Sequence, residues 1–349
     1  MAKHQKACYL VERSSGKRIK LGGALPSRKQ PPRASKYNAF RFKNSDLPRR
    51  VDLRPYLTKV EDQAVVNSCT ANAIAGAYEY LAKRALGASG DISRLFIYYN
   101  SRQYDGIQGD EGSTITGSIR VLEELGACTE ALWVYDPQFV NCQPSAEAYE
   151  EALSFLVKEA QEIDINLYAM KHCLAEGYPF AFGLKLFKSF DRAGKHGRVL
   201  LPEPNSKDGR TSHSSHAMLC VGYSDKTQAF IVRNSWGESW GDQGYCYIPY
   251  AYLANPEYCW DCWAIRTVSD LDFSSGVWVE DDECLYDEED EDEEYDYEYE
   301  YDEYEEDEEE YIEDEQDTEA FYAEEDEEEY IEEEDEDTEA FYAEEDEEE

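Results

Sequence analysis

Cys69, His216 and Asn234 stand in that order along the 349-residue chain, and Gln63 lies six positions before the cysteine. Together they offer a nucleophile, a base, an orienting amide and an oxyanion donor, the parts of acyl transfer through a thioester. A thiol is only a few per cent thiolate at neutral pH; a helix N-terminus and a neighbouring imidazolium both favour the anion and lower its pKa. His216 comes 147 positions after Cys69 and heads the apolar stretch Ala217–Val221, and such partners meet in space rather than in sequence. Asn234 opens the run NSWGESWGDQGY, which ends at Tyr245. Its side chain is expected to fix the His216 tautomer with Nε2 facing the sulfur, while Trp236 roofs that bond against water. The Gln63 side-chain amide and the Cys69 N–H are expected to hold the oxyanion, each such donor contributing roughly 3 kcal/mol.

The elements that must position these groups are legible. Ser68 is placed to cap a helix in which Ala71, Ile74, Ala75, Tyr78, Leu81 and Ala82 recur at spacings of three and four until Gly87. The positive end of that helix dipole points at Cys69. Periodicity predicts further helices over Ile115 to Leu125 and Glu147 to Lys158, with loops around Asp105 to Gly112 and Asp136 to Pro144. Beyond residue 166 the pattern changes to short β runs: Tyr178 to Leu184, Ala217 to Tyr223, Ala229 to Arg233 and Tyr245 to Ile248. The expected arrangement is a helical lobe over residues 51–165 and a β lobe over 166–279. Cys69 then lies on the helical wall of the cleft between them, His216 and Asn234 on the β wall, and Gly194 to Ser212 form a polar loop near the entrance.

The other cysteines and histidines read as structural. Cys128, Cys173, Cys220 and Cys246 are expected in the core, since cysteine is among the most buried residue types. Cys259 and Cys262 form a lone C-x-x-C that lacks both the second pair a zinc site wants and the βαβ context of a redox motif, so no metal and no cofactor is expected. His213 is the rival base, assigned to the polar loop before the strand. His4, His172 and His196 have no partner pattern.

The order Gln63, Cys69, His216, Asn234, with the run NSWGESWGDQGY, resembles the papain and cathepsin family of cysteine peptidases from about Val51 to about Thr267. The segments DLRP (Asp52 to Pro55), SCTANAIAGAYEYL (Ser68 to Leu81) and IPYAYL (Ile248 to Leu253) are similar to the family's non-secreted bacterial and viral branch. The resemblance implies an α+β, papain-like two-lobed fold, a helical lobe plus an antiparallel β-barrel-like lobe. It implies a cysteine endopeptidase that hydrolyses polypeptide substrates. Catalytic roles fall on Cys69, His216, Asn234 and Gln63, and substrate contacts on Gly112, Ser113, Trp236 and Ser215. The chain departs from the family's Gln-Gly-x-Cys-Gly-Ser-Cys-Trp by reading Gln63-Ala64-Val65-Val66-Asn67-Ser68-Cys69-Thr70, which puts substrate contacts near the cleavage site in question more than the chemistry. The alternatives are an inactive scaffold that binds through its cleft, and acyl transfer by the same thiol to an acceptor other than water.

Charge divides the chain in three. Residues 1–50 hold 14 Lys and Arg against 2 acidic residues (net +12), residues 51–279 hold 19 against 29 (net −10), and residues 280–349 hold none against 47 (net −47), together the formal −45. The tail is expected to be disordered, extended by self-repulsion. It repeats: YIEDEQDTEAFYAEEDEEE (Tyr311 to Glu329) returns as YIEEEDEDTEAFYAEEDEEE (Tyr330 to Glu349). Its candidate partners are a basic protein, divalent cations, or the basic arm of residues 1–50, itself read as an irregular clamp or short propeptide. The overall acidity disfavours nucleic acid. No apolar run has the length of a signal peptide or a membrane span, and ten cysteines in 349 residues are too few for a disulfide scaffold. The expected location is the cytoplasm or the interior of a particle.

Overall fold

Helix α1, Cys69–Leu86, runs through the middle of the molecule, and every apolar position of its predicted stripe is buried. Gly87 ends it in the left-handed conformation at φ 74°, which a glycine adopts without strain. The computed structural model describes residues 8–12, 17–39, 43, 47–87, 89–191, 193, 196–203, 212, 214–268 and 318–321.

In chain order the described elements are strands β1 (Cys8–Glu12), β2 (Arg18–Leu21), β3 (Ala24–Leu25), β4 (Ala34–Lys36) and β5 (Arg50–Asp52), then α1. There follow α2 (Arg94–Asp105), β6 (Ser113–Thr114), α3 (Ile115–Glu124), α4 (Ala146–Ala152), β7 (Val157–Glu162), α5 (Leu167–Ala175), β8 (Phe180–Leu186) and α6 (Lys188–Asp191). The last are β9 (Ser214–Ser224), β10 (Ala229–Arg233), β11 (Tyr245–Pro249), α7 (Tyr250–Leu253), β12 (Cys259–Val268) and β13 (Thr318–Phe321).

The helical lobe packs α2 and α3 against α1. The β lobe is one sheet in the order β11-β10-β9-β8-β12-β7-β4, with β5 added alongside β9. Its neighbours are antiparallel except β4 beside β7. Bulges between Ile231 and Val232 and between Trp260 and Trp263 sharpen its curvature, as bulged strands do. Phe180, Phe182, Met218, Tyr223 and Phe230 fill the interior. The architecture is the α+β pairing of a helical lobe with a barrel-like antiparallel lobe.

Two local expectations change. The predicted helix over Glu147 to Lys158 stops at Ala152, and Val157–Glu162 become a strand held between β12 and β4. The arm, expected to be irregular, carries four short strands, because the cleft and the sheet edge supply pairing partners. β1 and β2 form an antiparallel hairpin with Leu10, Ile19 and Leu21 buried beneath it. The acidic tail lies outside the described residues except for β13, which pairs antiparallel with β1.

Candidate active site

Cys69 opens α1, so its side chain sits at the positive end of the helix, beside amides with no carbonyl partner one turn earlier. The expected Ser68 cap is corrected in detail: Ser68 holds the N-cap position, but its hydroxyl turns to Tyr135 OH (2.6 Å) and accepts from Asn72 Nδ2 (3.0 Å). Tyr135 OH also donates to the Gln63 carbonyl (2.9 Å), so one phenol ties the helix start to the residue expected to supply the oxyanion donor. Arg94 grips Glu130 through both Nε (2.9 Å) and Nη2 (2.6 Å), reaches Asn72 Oδ1 (3.2 Å) and lies 4.0 Å over the Tyr135 ring.

Strand β9 brings His216 to the opposite wall, and the Cys69 sulfur lies in hydrogen-bonding reach of the backbone N–H of Ala217, the next residue. His216 Nε2 donates to Asn234 Oδ1 at 2.7 Å. This reverses the expected ring orientation: Nε2 is taken by Asn234, which leaves Nδ1 as the nitrogen for the sulfur. Asn234 Oδ1 also accepts from the Ser235 amide at 2.8 Å. Trp236 stacks on the imidazole with ring centroids 4.8 Å apart and 26° between planes, and Trp240 packs edge-on behind it at 4.9 Å. Gln63 is fully buried; its Oε1 accepts from Ser235 Oγ (2.6 Å), which aims Nε2 at the Val66 carbonyl (3.0 Å) and the Lys20 carbonyl (3.4 Å).

Lys20 belongs to the arm, and the arm fills the cleft. Lys20 N donates to the Ala64 carbonyl (3.4 Å) and Gly22 N to the Ser215 carbonyl (3.0 Å). Ser113 N donates to the Gly23 carbonyl (3.0 Å), within the parallel pairing of β3 with β6. Ser215 Oγ donates to the Ala24 carbonyl (2.8 Å), and Lys17 Nζ donates to the Trp236 carbonyl (2.7 Å). A Cβ on Gly23 would stand 2.5 Å from the Asn67 carbonyl oxygen, and one on Gly112 (φ 93°) 2.5 Å from the Gly23 oxygen, so both approaches need glycine. Among the described residues two ion pairs fasten residues 17–25: Lys17 with Asp62 (2.8 Å) and Lys20 with Asp110 (3.3 Å). The four residues expected to contact substrate, Gly112, Ser113, Ser215 and Trp236, are thus all met by residues 17–25.

Occlusion sets the electrostatics. Burial pushes the Cys69 thiol up to about 12, against the opposing pull of the Ala217 and Thr70 amides. Burial likewise lowers His216 to about 4, against the bond to Asn234. With the arm in place, thiol and imidazole are both neutral.

The sequence departures around Cys69 are answered locally. Asn67 donates its side-chain amide to the Asp110 carbonyl (2.8 Å) and its backbone N–H to Asp110 Oδ1 (2.9 Å). Thr70, where the family carries an indole, hydrogen-bonds the Ser113 hydroxyl. Sequence reading missed Ser235, Tyr135 and Asp110; only Ser235 carried a signal, its place inside the motif. Cys128, Cys173, Cys220 and Cys246 are buried free thiols, as are Cys259 and Cys262, whose sulfurs lie 3.5 Å apart. His172 is buried against Tyr37 OH (2.6 Å) and Glu176, His196 is exposed, and His4 and His213 lie outside the described residues.

Known proteins resemble the chain in sequence and in fold. The papain family cysteine protease profile matches residues 47–253. An uncharacterized peptidase C1-like protein of Acanthamoeba polyphaga mimivirus is 37% identical over 237 residues, covering 64% of this chain and 75% of its own. Cathepsin K of Gallus gallus is 28% identical over 213 residues, covering 58% of this chain; the match spans only 59% of that protein's length. The crystal structure of xylellain, a cysteine protease from Xylella fastidiosa, superposes with TM-score 0.64 at 34% identity, covering 71% of this chain and 96% of that one. Among the described residues no helix is long and apolar enough to cross a membrane.

Proposed function

The chain belongs to the papain family of cysteine proteases, and from that premise we propose that Cys69, His216, Asn234 and Gln63 hydrolyse peptide bonds in it through a thioester acyl-enzyme, behind a gate made of its own residues 17–25. The observation that carries this reading is the His216 Nε2 bond to Asn234 Oδ1 on the strand whose next amide reaches the Cys69 sulfur.

When the gate leaves, water returns to the cleft and the desolvation holding both groups neutral is relieved. His216 Nδ1 then takes the Cys69 proton, with the thiolate favoured by the α1 dipole and the imidazolium by its bond to Asn234. The sulfur attacks the substrate carbonyl carbon, and the displaced electron pair settles on the oxygen, facing Gln63 Nε2–H and the Cys69 N–H. Collapse of the tetrahedral adduct expels the amine, which leaves with the proton from Nδ1. Water attacks the thioester next, giving a proton to Nδ1; the acid departs and the thiolate–imidazolium pair is restored. Asn234 holds Nε2–H through both halves, and Trp236 keeps water from that bond.

Arm residues at the positions of Gly112, Ser113, Ser215 and Trp236 support the assignment of those four to substrate contact. Polypeptide is the substrate class, because the cleft offers backbone groups at Ala64, Ser113 and Ser215 in strand-like pairing with a chain. The test is labelling by an epoxysuccinyl thiol reagent, read by mass spectrometry, on the full chain and on Gly23→Val, whose added side chain unseats the arm. Single modification at Cys69 in Gly23→Val, lost in Gly23→Val/His216→Ala, is the expected result. Labelling that ignores His216 would leave an unactivated thiol and defeat the reading.

A further inference from the structure

Residues 17–25 close the cleft, but they are held in a way that reaches well beyond it. Their strand β2 is one edge of a three-stranded sheet ordered β13-β1-β2, in which β1 is central and the opposite edge is the TEAF segment of the acidic repeat. Its register is defined: Tyr9 opposite Phe321, Leu10 opposite Ala320, Val11 opposite Glu319 and Glu12 opposite Thr318. On the other side of β1, Tyr9 faces Lys20 and Leu10 faces Ile19. The chain therefore runs, rung by rung, from the tail through β1 to Lys20, whose carbonyl meets the Gln63 amide. β13 also passes alongside α6, whose Phe190 packs edge-on against Trp236 (5.9 Å), the ring covering His216.

Physical chemistry gives that third strand a purpose. A two-stranded hairpin is marginal in water, and a third strand over a hydrophobic face is what makes such a sheet persist. Leu10, Ile19 and Leu21 provide the face, and β1 without β13 would present an open edge. The segment DTEAFYAEEDEEE occurs twice without change, as Asp317 to Glu329 and Asp337 to Glu349, so a second copy of the same four residues, Thr338 to Phe341, begins 17 positions after Phe321. Tethering to the same chain gives each copy a high effective concentration at the edge.

We propose that the acidic repeat is a strand donor acting in cis: its TEAF segment docks on the β1–β2 hairpin and holds the gate over Cys69, with either copy able to take the edge. This rests on the reading of residues 17–25 as the gate. Opening then requires the tail strand to leave or be removed, which places control of the cleft at the far end of the chain.

The experiment uses the full chain, with Ala320→Pro, Ala340→Pro and the double variant, since proline cannot donate to a ladder. Two readouts are taken: amide exchange over residues 9–12 and the rate of epoxysuccinyl labelling at Cys69. The double variant is expected to lose protection on β1 and to label roughly fivefold faster, each single variant less than about twofold. Glu327→Pro/Glu347→Pro, outside the strand, should match wild type. A synthetic peptide of sequence DTEAFYAEEDEEE should slow labelling of the double variant again, and a scrambled peptide of equal charge should not. An unchanged double variant overturns the proposal, and equal rescue by the scrambled peptide overturns pairing in favour of charge alone. A single variant as open as the double removes the second copy from it. Gly23→Val separates the two readings: slow labelling there defeats the gate itself, whereas fast labelling there beside an unchanged double variant defeats only the tail strand.

Discussion

Two short segments meet at the cleft and are held by opposite means. In Asn234–Trp240 side chains bind side chains or stack: Asn234 to His216, Ser235 Oγ to Gln63, Trp236 on the imidazole, Trp240 behind it. In residues 17–25 the contacts run largely through the segment's own main chain, whose N–H and C=O groups meet backbone and side-chain groups of the cleft, joined by two lysine ion pairs at the surface. The first segment is locked by chemistry specific to its residues, which suits groups that must not move. The second is held by bonds that water can replace one for one, which suits a part that must leave.

The largest effect should come from the locked side. Cys69→Ala should abolish peptide hydrolysis in an arm-opened chain, and His216→Ala should come close, with the melting temperature little changed; steady-state kinetics beside calorimetry checks both. Gln63→Ala should lower kcat by roughly 10²-fold. Ser235→Ala should fall in the same direction by less, because it only aims Gln63, and a loss as large as that of Gln63→Ala would show that Ser235 does more.

Acid should act on the removable side. His216 is depressed to about 4 by burial in the closed cleft, against the ordinary 6.5 of an imidazole. A depressed group favours the closed state above its open-state value, and that advantage is lost as pH falls toward the closed-state value. In Cys69→Ala, where no thiol proton can charge the ring, opening between pH 6.5 and about 4 should therefore gain up to about tenfold per pH unit. Exchange of the Gly22 and Ser113 amides, corrected for intrinsic rates, reads this directly, and His216→Ala should flatten it.

At neutral pH, Gly23→Val should open the arm about tenfold by overlap with the Asn67 carbonyl, measured as Cys69 labelling. Salt should do least: the Lys17–Asp62 and Lys20–Asp110 pairs are partly exposed, so raising ionic strength to about 1 M should speed labelling by only a few-fold. A large salt response would move the arm's attachment from backbone pairing to charge.

What could be read in the sequence followed the same division. The candidate residues that the fold brings to the cleft were legible because each is a residue type with few alternatives at that spacing, and α1 because its apolar stripe and terminal glycine agree. The Nε2 orientation was not, since both ring nitrogens fit the motif and only the placement of Asn234 relative to β9 decides. Val157–Glu162 reads VKEAQE, which carries little strand preference; it is extended because β12 and β4 flank it, a case of context overriding propensity. The arm's path was hidden for a related reason: backbone pairing leaves no side-chain signature, and only Gly22, Gly23 and Gly112 mark where main chains pass closely.

The strand β4 sets a limit on how much of the front of the chain is dispensable. It pairs with β7 through Ala34, Ser35 and Lys36, opposite Ala160, Gln161 and Glu162. A chain trimmed as far as Pro32 loses the gate and keeps all eight strands of the large sheet. One trimmed only four residues further bares Ala160 to Glu162 of β7, a short row of unpaired amides and carbonyls open to the same edge of another copy. Trimming from the front therefore has a sharp border near Ala34, with a freed cleft on one side of it and self-association into aggregates on the other.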